Sequence, residues 1–301
     1  MNKSLRGSLL LTLGAAVWGA AFVAQRVGMD HMGPFTFTAI RMLLAAAVML
    51  PAIRVNDGLR RKRGETVARC PEQRKAGLIC GLFLFVATSF QQIGLVDTGA
   101  GKAGFITALY VVLVPVAGWL LFRRQPGWMI WISVGIAVAA LYLLCMPAGG
   151  LTVQPGDAML LGCALCFTGQ ILAVDRYVSR VDGLRLSCAE FLVTGVLSLI
   201  AALAMEEITW TGIREALIPI LYTGLLSSDV GYTLQIIGQR DTNPTVASLI
   251  MCLESVFAVL TGALVLGERL SGREAAGCAL MFAAVILAQL SPLLARRRKR
   301  A

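Results

Sequence analysis

The sequence predicts an all-α membrane protein whose ten transmembrane helices form two inverted five-helix repeats. Three observations carry that expectation. The chain is 57% hydrophobic, 15% charged and has a mean hydropathy of +0.75 over 301 residues, whereas a soluble domain carries about 25% charged residues. Apolar runs long enough to cross a bilayer recur from end to end. A short motif also recurs after an odd number of those runs.

The apolar runs place spans at 7–29, 34–55, 76–96, 101–122, 128–146, 156–175, 185–205, 214–237, 244–266 and 272–294. The first begins after Lys3 and Arg6 in the manner of a signal peptide. It is longer than the apolar region of a cleaved signal, and so reads as an uncleaved helix. Connections are short except 56–75, a polar and basic stretch (Arg60-Arg61-Lys62-Arg63) expected to face solvent and headgroups. An outer-membrane barrel is excluded, because strands of alternating polarity are missing.

With the N-terminus inside, the inner connections and the Arg296–Arg300 tail hold about 21 of the 27 Lys and Arg residues. The outer connections are acidic instead (Asp30, Asp157, Glu206, Glu207). Both termini are therefore expected in the cytoplasm, in a multi-pass plasma-membrane protein. The net charge of +10 is accounted for by these loops, so a nucleic-acid partner is not expected. Seven of the eight Cys lie within apolar runs and read as small packing residues; Cys163-x-x-Cys166 lacks the second pair or His that a metal set needs. The single His31 lies in a loop, and no nucleophile–base set or phosphate-cradling G-x-x-x-x-G-K-[ST] occurs. No catalytic residue, metal or cofactor is expected.

The recurring motif is Gln91-Gln-Ile-Gly-Leu-Val-Asp-Thr98, which returns as Gln235-Ile-Ile-Gly-Gln-Arg-Asp-Thr242, an offset of 144 with five of eight positions identical. Five spans separate the copies, so the halves, 1–147 and 148–301 with its basic tail, must be inverted. That architecture belongs to secondary transporters, whose site lies near the midplane where the halves meet.

Four ionisable residues fall inside spans: Arg41, Glu190, Asp229 and Glu254. Such residues face protein or water and mark function. Arg41 lies about 10 Å below the outer surface and Glu190 about as far from the inner one, at 1.5 Å per residue. They occupy mirror positions and read as gating or structural ion-pair residues. Lys102 starts span 4 and is expected to snorkel outward. Asp229 and Glu254 flank the turn after span 8 at similar depth. By the repeat offset Glu254 corresponds to Tyr110 and Asp229 to Phe85, so carboxylates in one half face aromatic rings in the other. That pairing suits a cationic or zwitterionic amphiphile and equally a proton site. Trp18, Gln25, Gln91, Gln92, Gln170, Tyr232 and Gln235 are candidates to complete a polar lining. Gly224, Gly231 and Gly238 form a small-residue stripe, and Pro115 is expected to interrupt span 4.

Together these residues resemble the EamA-like branch of the drug/metabolite transporter superfamily. The matching pieces are Trp18-Gly19, Arg41, Val114-Pro115-Val116, Leu253-Glu254-Ser255-Val256-Phe257-Ala258 and Gly267-Glu268-Arg269-Leu270. The chain departs from the family at Ser255, where Pro is common, and at Arg124-Gln125, where no acidic counterpart of Glu268 stands. The resemblance implies ten helices in inverted halves, and a cavity lined mostly by helices 1–4 and 6–9. It further implies a secondary transporter, an exporter by analogy, of small polar or amphiphilic metabolites such as amino acids. Proton-coupled efflux of hydrophobic cations is the alternative. Glu254, Asp229, Tyr110, Trp18, Gln91 and Gln235 are the residues expected to meet substrate or a coupling proton. Expected partners are a small-molecule substrate and the lipid bilayer, with the chain as monomer or homodimer.

Overall fold

The computed structural model describes residues 3–64, 70–98, 100–123, 125–146, 154–266 and 271–298. Gly267, Glu268, Arg269 and the end of the basic tail lie outside them. In chain order the helices are α1 (Lys3–Gly19), α2 (Ala21–Met29), α3 (Pro34–Lys62), α4 (Glu72–Asp97), α5 (Ala100–Thr107), α6 (Tyr110–Phe122), α7 (Trp128–Cys145) and α8 (Pro155–Tyr177). There follow α9 (Gly183–Met205), α10 (Trp210–Glu215), α11 (Leu217–Leu221), a π-helical stretch (Tyr222–Tyr232), α12 (Thr233–Gln239), α13 (Pro244–Met251), α14 (Leu253–Leu266) and α15 (Gly272–Arg298). Among the described residues no strand occurs, and eight helices are long and apolar enough to cross a membrane. Two of the eight are the broken pairs α5–α6 and α13–α14; the other two expected spans, 7–29 and 214–237, are helical but also interrupted, one turning at Ala20 and the other breaking at Ala216 and winding as a π-helix.

Two expectations need correcting. The helix that begins at Pro34 continues through the expected loop to Lys62. Its end is held against the start of α9, where Arg60 pairs with Asp182 at 3.1 Å and Arg185 with Asp57 at 2.5 Å. Lys102 bonds Asp157, a residue of the expected outer connection in the first turn of α8, at 2.5 Å, with both side chains largely covered. Pro115 lies inside α6, and the interruption falls earlier, at Ala108–Leu109, where Val111 N–H and Val112 N–H bond three residues back. The same break occurs at Cys252 in the other half, whose following helix holds no proline, so Pro115 is not its cause.

The first helix of each half packs on the other half. α8 lies along α4, α5 and α6, while α1 lies along the π-helical stretch, α12, α13 and α14. Glycine makes both approaches possible in the same way. A Cβ on Gly156 would come within 2.6 Å of Thr98 Oγ1 and 2.8 Å of the Gly94 carbonyl; one on Gly7 would overlap Thr242 Oγ1 and the Gly238 carbonyl. Thr98 and Thr242, and Gly94 and Gly238, are the paired positions of the repeated motif. The long helices α3 and α9 pack on each other, and α7 packs on α15. Glu206, just past α9, caps α3 by accepting bonds from the N–H groups of Phe35 and Thr36 at 2.8 and 2.7 Å; Asp57, near the end of α3, holds Arg185 near the start of α9. Leu120, Leu121, Leu203 and Ile218 stay exposed, as a lipid-facing surface requires.

Candidate functional site

Two helix groups face each other across a small cavity of about 50 Å³. One wall is Gln91 of α4, Thr107 of α5, Tyr110 of α6, and Phe167 and Ile171 of α8. The other is Trp18, Ala21 and Gln25 of α1 and α2, Ser227 and Tyr232 of the π-helical stretch, Gln235 of α12, Met251 of α13 and Glu254 of α14. Arg41 of α3 joins them.

Helix breaks aim several of these groups. α5 and α6 are separated at Ala108–Leu109, and α13 and α14 at Cys252. Ala108 and Cys252 are 144 residues apart, and they touch: Cys252 Sγ donates to the Ala108 carbonyl at 3.9 Å. Tyr110 and Glu254 therefore begin the second segment of each interrupted pair, both at the cavity. The first turn also sets the Glu254 carboxylate at the positive end of a helix.

The π-helical stretch has a simple origin. Gly81 and Gly94 stand 13 residues apart, whereas Gly224 and Gly238 stand 14 apart. The outer glycine of each pair meets equivalent neighbours: a Cβ on Gly81 would meet the Glu190 carbonyl at 3.1 Å and the Val193 side chain, and one on Gly224 the Arg41 carbonyl at 3.2 Å and the Leu44 side chain. One extra residue thus lies between fixed packing points, and a helix accommodates it as a π-bulge. The displaced backbone is used: Trp18 Nε1 donates to the Ser227 carbonyl at 2.9 Å. The Trp18 ring then stands edge-on to Tyr232 at 4.9 Å.

The charged groups are left open. Arg41 is 2% exposed, with Nε and Nη2 free of hydrogen bonds, and its guanidinium lies 5.8 Å from the centre of the Phe37 ring. Among the described residues neither Arg41 nor Glu254 has an ion-pair partner, and Glu254 accepts no hydrogen bond. Gln25 Oε1 and Gln235 Oε1 are also buried without partners. Buried polar atoms are ordinarily satisfied, so this wall offers donors and acceptors to what enters the cavity.

Of the residues expected from sequence, Glu254, Tyr110, Trp18, Gln91, Gln235 and Arg41 meet at this cavity, with Gln25 and Tyr232. Asp229 does not join them; it is half-buried on the π-helical stretch. Glu190 is fully buried behind the wall and accepts from Gln170 Nε2 at 2.8 Å. It makes no ion pair with Arg41. Gln170 and Gln92 are fully buried and are not among the lining residues. Thr107, Phe167, Ser227 and Met251 were not legible as lining residues. The unequal glycine spacing is the signal that would have pointed to Ser227. Among the described residues no group of His, Cys, Asp or Glu is placed to hold a metal ion.

Residues 5–146 and 154–290 each match the EamA-like transporter family. The chain belongs to that family. An uncharacterized transporter of Archaeoglobus fulgidus is 30% identical over 96% of this chain and 87% of its own length. The uncharacterized inner membrane transporter YedA of Escherichia coli K12 is 23% identical over 92% and 89%. A solved crystal structure shares the fold, with a TM-score of 0.78, 21% identity and coverage of 97% and 98%. This EamA-like chain is thus a multi-pass membrane transporter with two copies of the family unit, and the cavity lies among helices from both copies.

Proposed function

We propose that this transporter moves small zwitterionic metabolites, amino acids foremost, by alternating access, and that it exports them across the plasma membrane. Ten spans in two inverted five-helix halves, 1–147 and 148–301, with both termini in the cytoplasm, form the frame of that reading. The repeated glycine contacts, the touching of Ala108 and Cys252, and the odd number of spans between the motif copies support the inversion.

One observation carries the cargo class: a buried guanidinium and a buried carboxylate line the same cavity, and among the described residues neither bonds the other or another charge. An unpaired charge in a membrane interior is costly. Two of opposite sign in one hollow are satisfied together by a molecule that bears both charges. In this reading Arg41 takes the carboxylate, Glu254 takes the ammonium group, and Trp18, Tyr110, Phe167 and Tyr232 flank the remainder. Efflux of hydrophobic cations fits less well, because Arg41 repels a cation entering the same space.

Ligand-dependent melting of the detergent-purified protein tests the assignment, since a ligand that binds only the folded state raises the melting temperature with concentration. Leucine is expected to stabilise. Its amine analogue, lacking the carboxylate, and its acid analogue, lacking the ammonium, are expected to do so weakly. Stabilisation by the amine alone would replace the zwitterion reading with the cation one. Preloaded cells that release labelled leucine faster when the protein is present would establish export; faster uptake would reverse it.

A further inference from the structure

Arg41 and Glu190 occupy one structural position twice over. The carbonyl of each receives a glycine of a neighbouring helix, Gly224 and Gly81, and the residue three further on, Leu44 or Val193, closes over that glycine. The two side chains nevertheless meet opposite surroundings. Arg41 lines the cavity, whereas Glu190 is sealed behind it with Oε2 unpartnered.

A chain of amides links Glu190 to the cavity wall, where Gln235 is a lining residue. Gln170 donates to Glu190. Gln235 donates to Gln170 Oε1 at 3.0 Å and to Gln239 Oε1 at 3.1 Å, and Gln239 donates to the Ile171 carbonyl at 3.3 Å. Gln170 and Ile171 belong to α8, on one wall, and Gln235 and Gln239 to α12, on the other, so these bonds join the two helix groups. The motif counterpart of Gln235 is Gln91, which also lines the cavity but makes no such bond among the described residues. One copy of the arrangement is open, and the other is clasped shut.

We propose that Arg41 and Glu190 take turns at the cavity wall. Arg41 is presented in the arrangement seen. Glu190 is presented when the Gln170–Gln235–Gln239 bonds part, and it then gives the cargo's ammonium group a second ionic contact on the cytoplasmic side. Inverted halves that exchange conformations produce this alternation, and the two states need differ by only a few kcal/mol. An unpaired carboxylate oxygen in dry packing weakens the closed copy, which keeps the other state within reach. The identity of the contact rests on the zwitterion reading above; the alternation itself concerns the protein alone.

The test reads the protein rather than transport, so it stands or falls apart from the cargo. In a variant stripped of its eight cysteines, Arg41→Cys or Glu190→Cys is exposed to a membrane-impermeant maleimide in right-side-out and inside-out vesicles. Arg41→Cys is expected to label from the outside, and Glu190→Cys to resist labelling from either side. Adding Gln235→Leu removes two amide bonds. It should speed labelling of Glu190→Cys from the cytoplasmic side by about fivefold or more, the weight of one net hydrogen bond, and slow that of Arg41→Cys. Labelling that Gln235→Leu leaves unchanged at both positions, or both positions labelling from one face, overturns the proposal. If the cysteine variants fail to fold, hydrogen exchange on Gln235→Leu alone decides: protection should fall around residue 190 and rise around residue 41, and no change at either place is equally fatal.

Discussion

Arg41 and Glu254 are the two residues whose removal should separate the halves of a zwitterion. Truncating one partner of a buried charge contact costs about 2 kcal/mol or more, which is roughly thirtyfold in affinity. Arg41→Gln should therefore weaken leucine by about that factor in a melting-shift titration, while the amine analogue, which never met Arg41, is unchanged or improved. Glu254→Gln should do the reverse and spare the acid analogue. Equal losses for every ligand in both variants would mean the two groups hold the cavity open rather than touch cargo. Glu254 and Tyr110 were legible in the sequence because a fixed offset of 144 joins them, and the structure sets both at equivalent helix breaks. Asp229 was expected beside Glu254 from an equal residue count on either side of the turn, and it is not among the lining residues. It falls within the stretch that carries one extra residue, and a residue count does not register an insertion.

That insertion sets the behaviour of the whole element. The Trp18 indole bonds a carbonyl in the π-helical stretch, so Trp18→Phe should lower the melting temperature by the equivalent of about 1 kcal/mol. Deleting one residue between Gly224 and Gln235 should restore a regular helix and abolish ligand binding, while membrane insertion survives; retained binding would deny the bulge a role. The paired glycines give a sharper test. Gly156→Ala brings a methyl to 2.6 Å from Thr98 Oγ1, an overpacking expected to cost about 1–3 kcal/mol. Gly104→Ala, where an added Cβ meets nothing within 4 Å, should be neutral in the same thermal melt. Pro115 was expected to set the interruption in its span, but the break at Ala108–Leu109 recurs at Cys252 where no proline follows, so it belongs to the repeated fold and not to the proline.

For the molecule as a whole, the basic inner loops predict an orientation. A fluorescent protein fused to either end should fluoresce, and alkaline phosphatase fused there should stay inactive but become active when inserted after Asp30. Active phosphatase at the C-terminus would break the inverted pairing. All eight cysteines are free thiols, several of them deep in the packing, so a reductant should leave the melting temperature unaltered. The helix groups that face each other across the cavity are not the two sequence halves, because α1 and α8 are exchanged between them. Motion by alternating access would therefore carry each first helix with the opposite half.

The sequence by itself determined the membrane class, the helical character and the kinship of the two halves. These follow from transfer energies and side-chain identities summed along the chain, which need no knowledge of what touches what. The tertiary structure alone decided that the first helices change places, that Asp229 is left out of the cavity lining, and that Arg41 stands open where Glu190 is shut in. Those outcomes depend on where a glycine lets two backbones meet and on which amides reach each other across a gap. Both are properties of contacts between residues far apart in the chain.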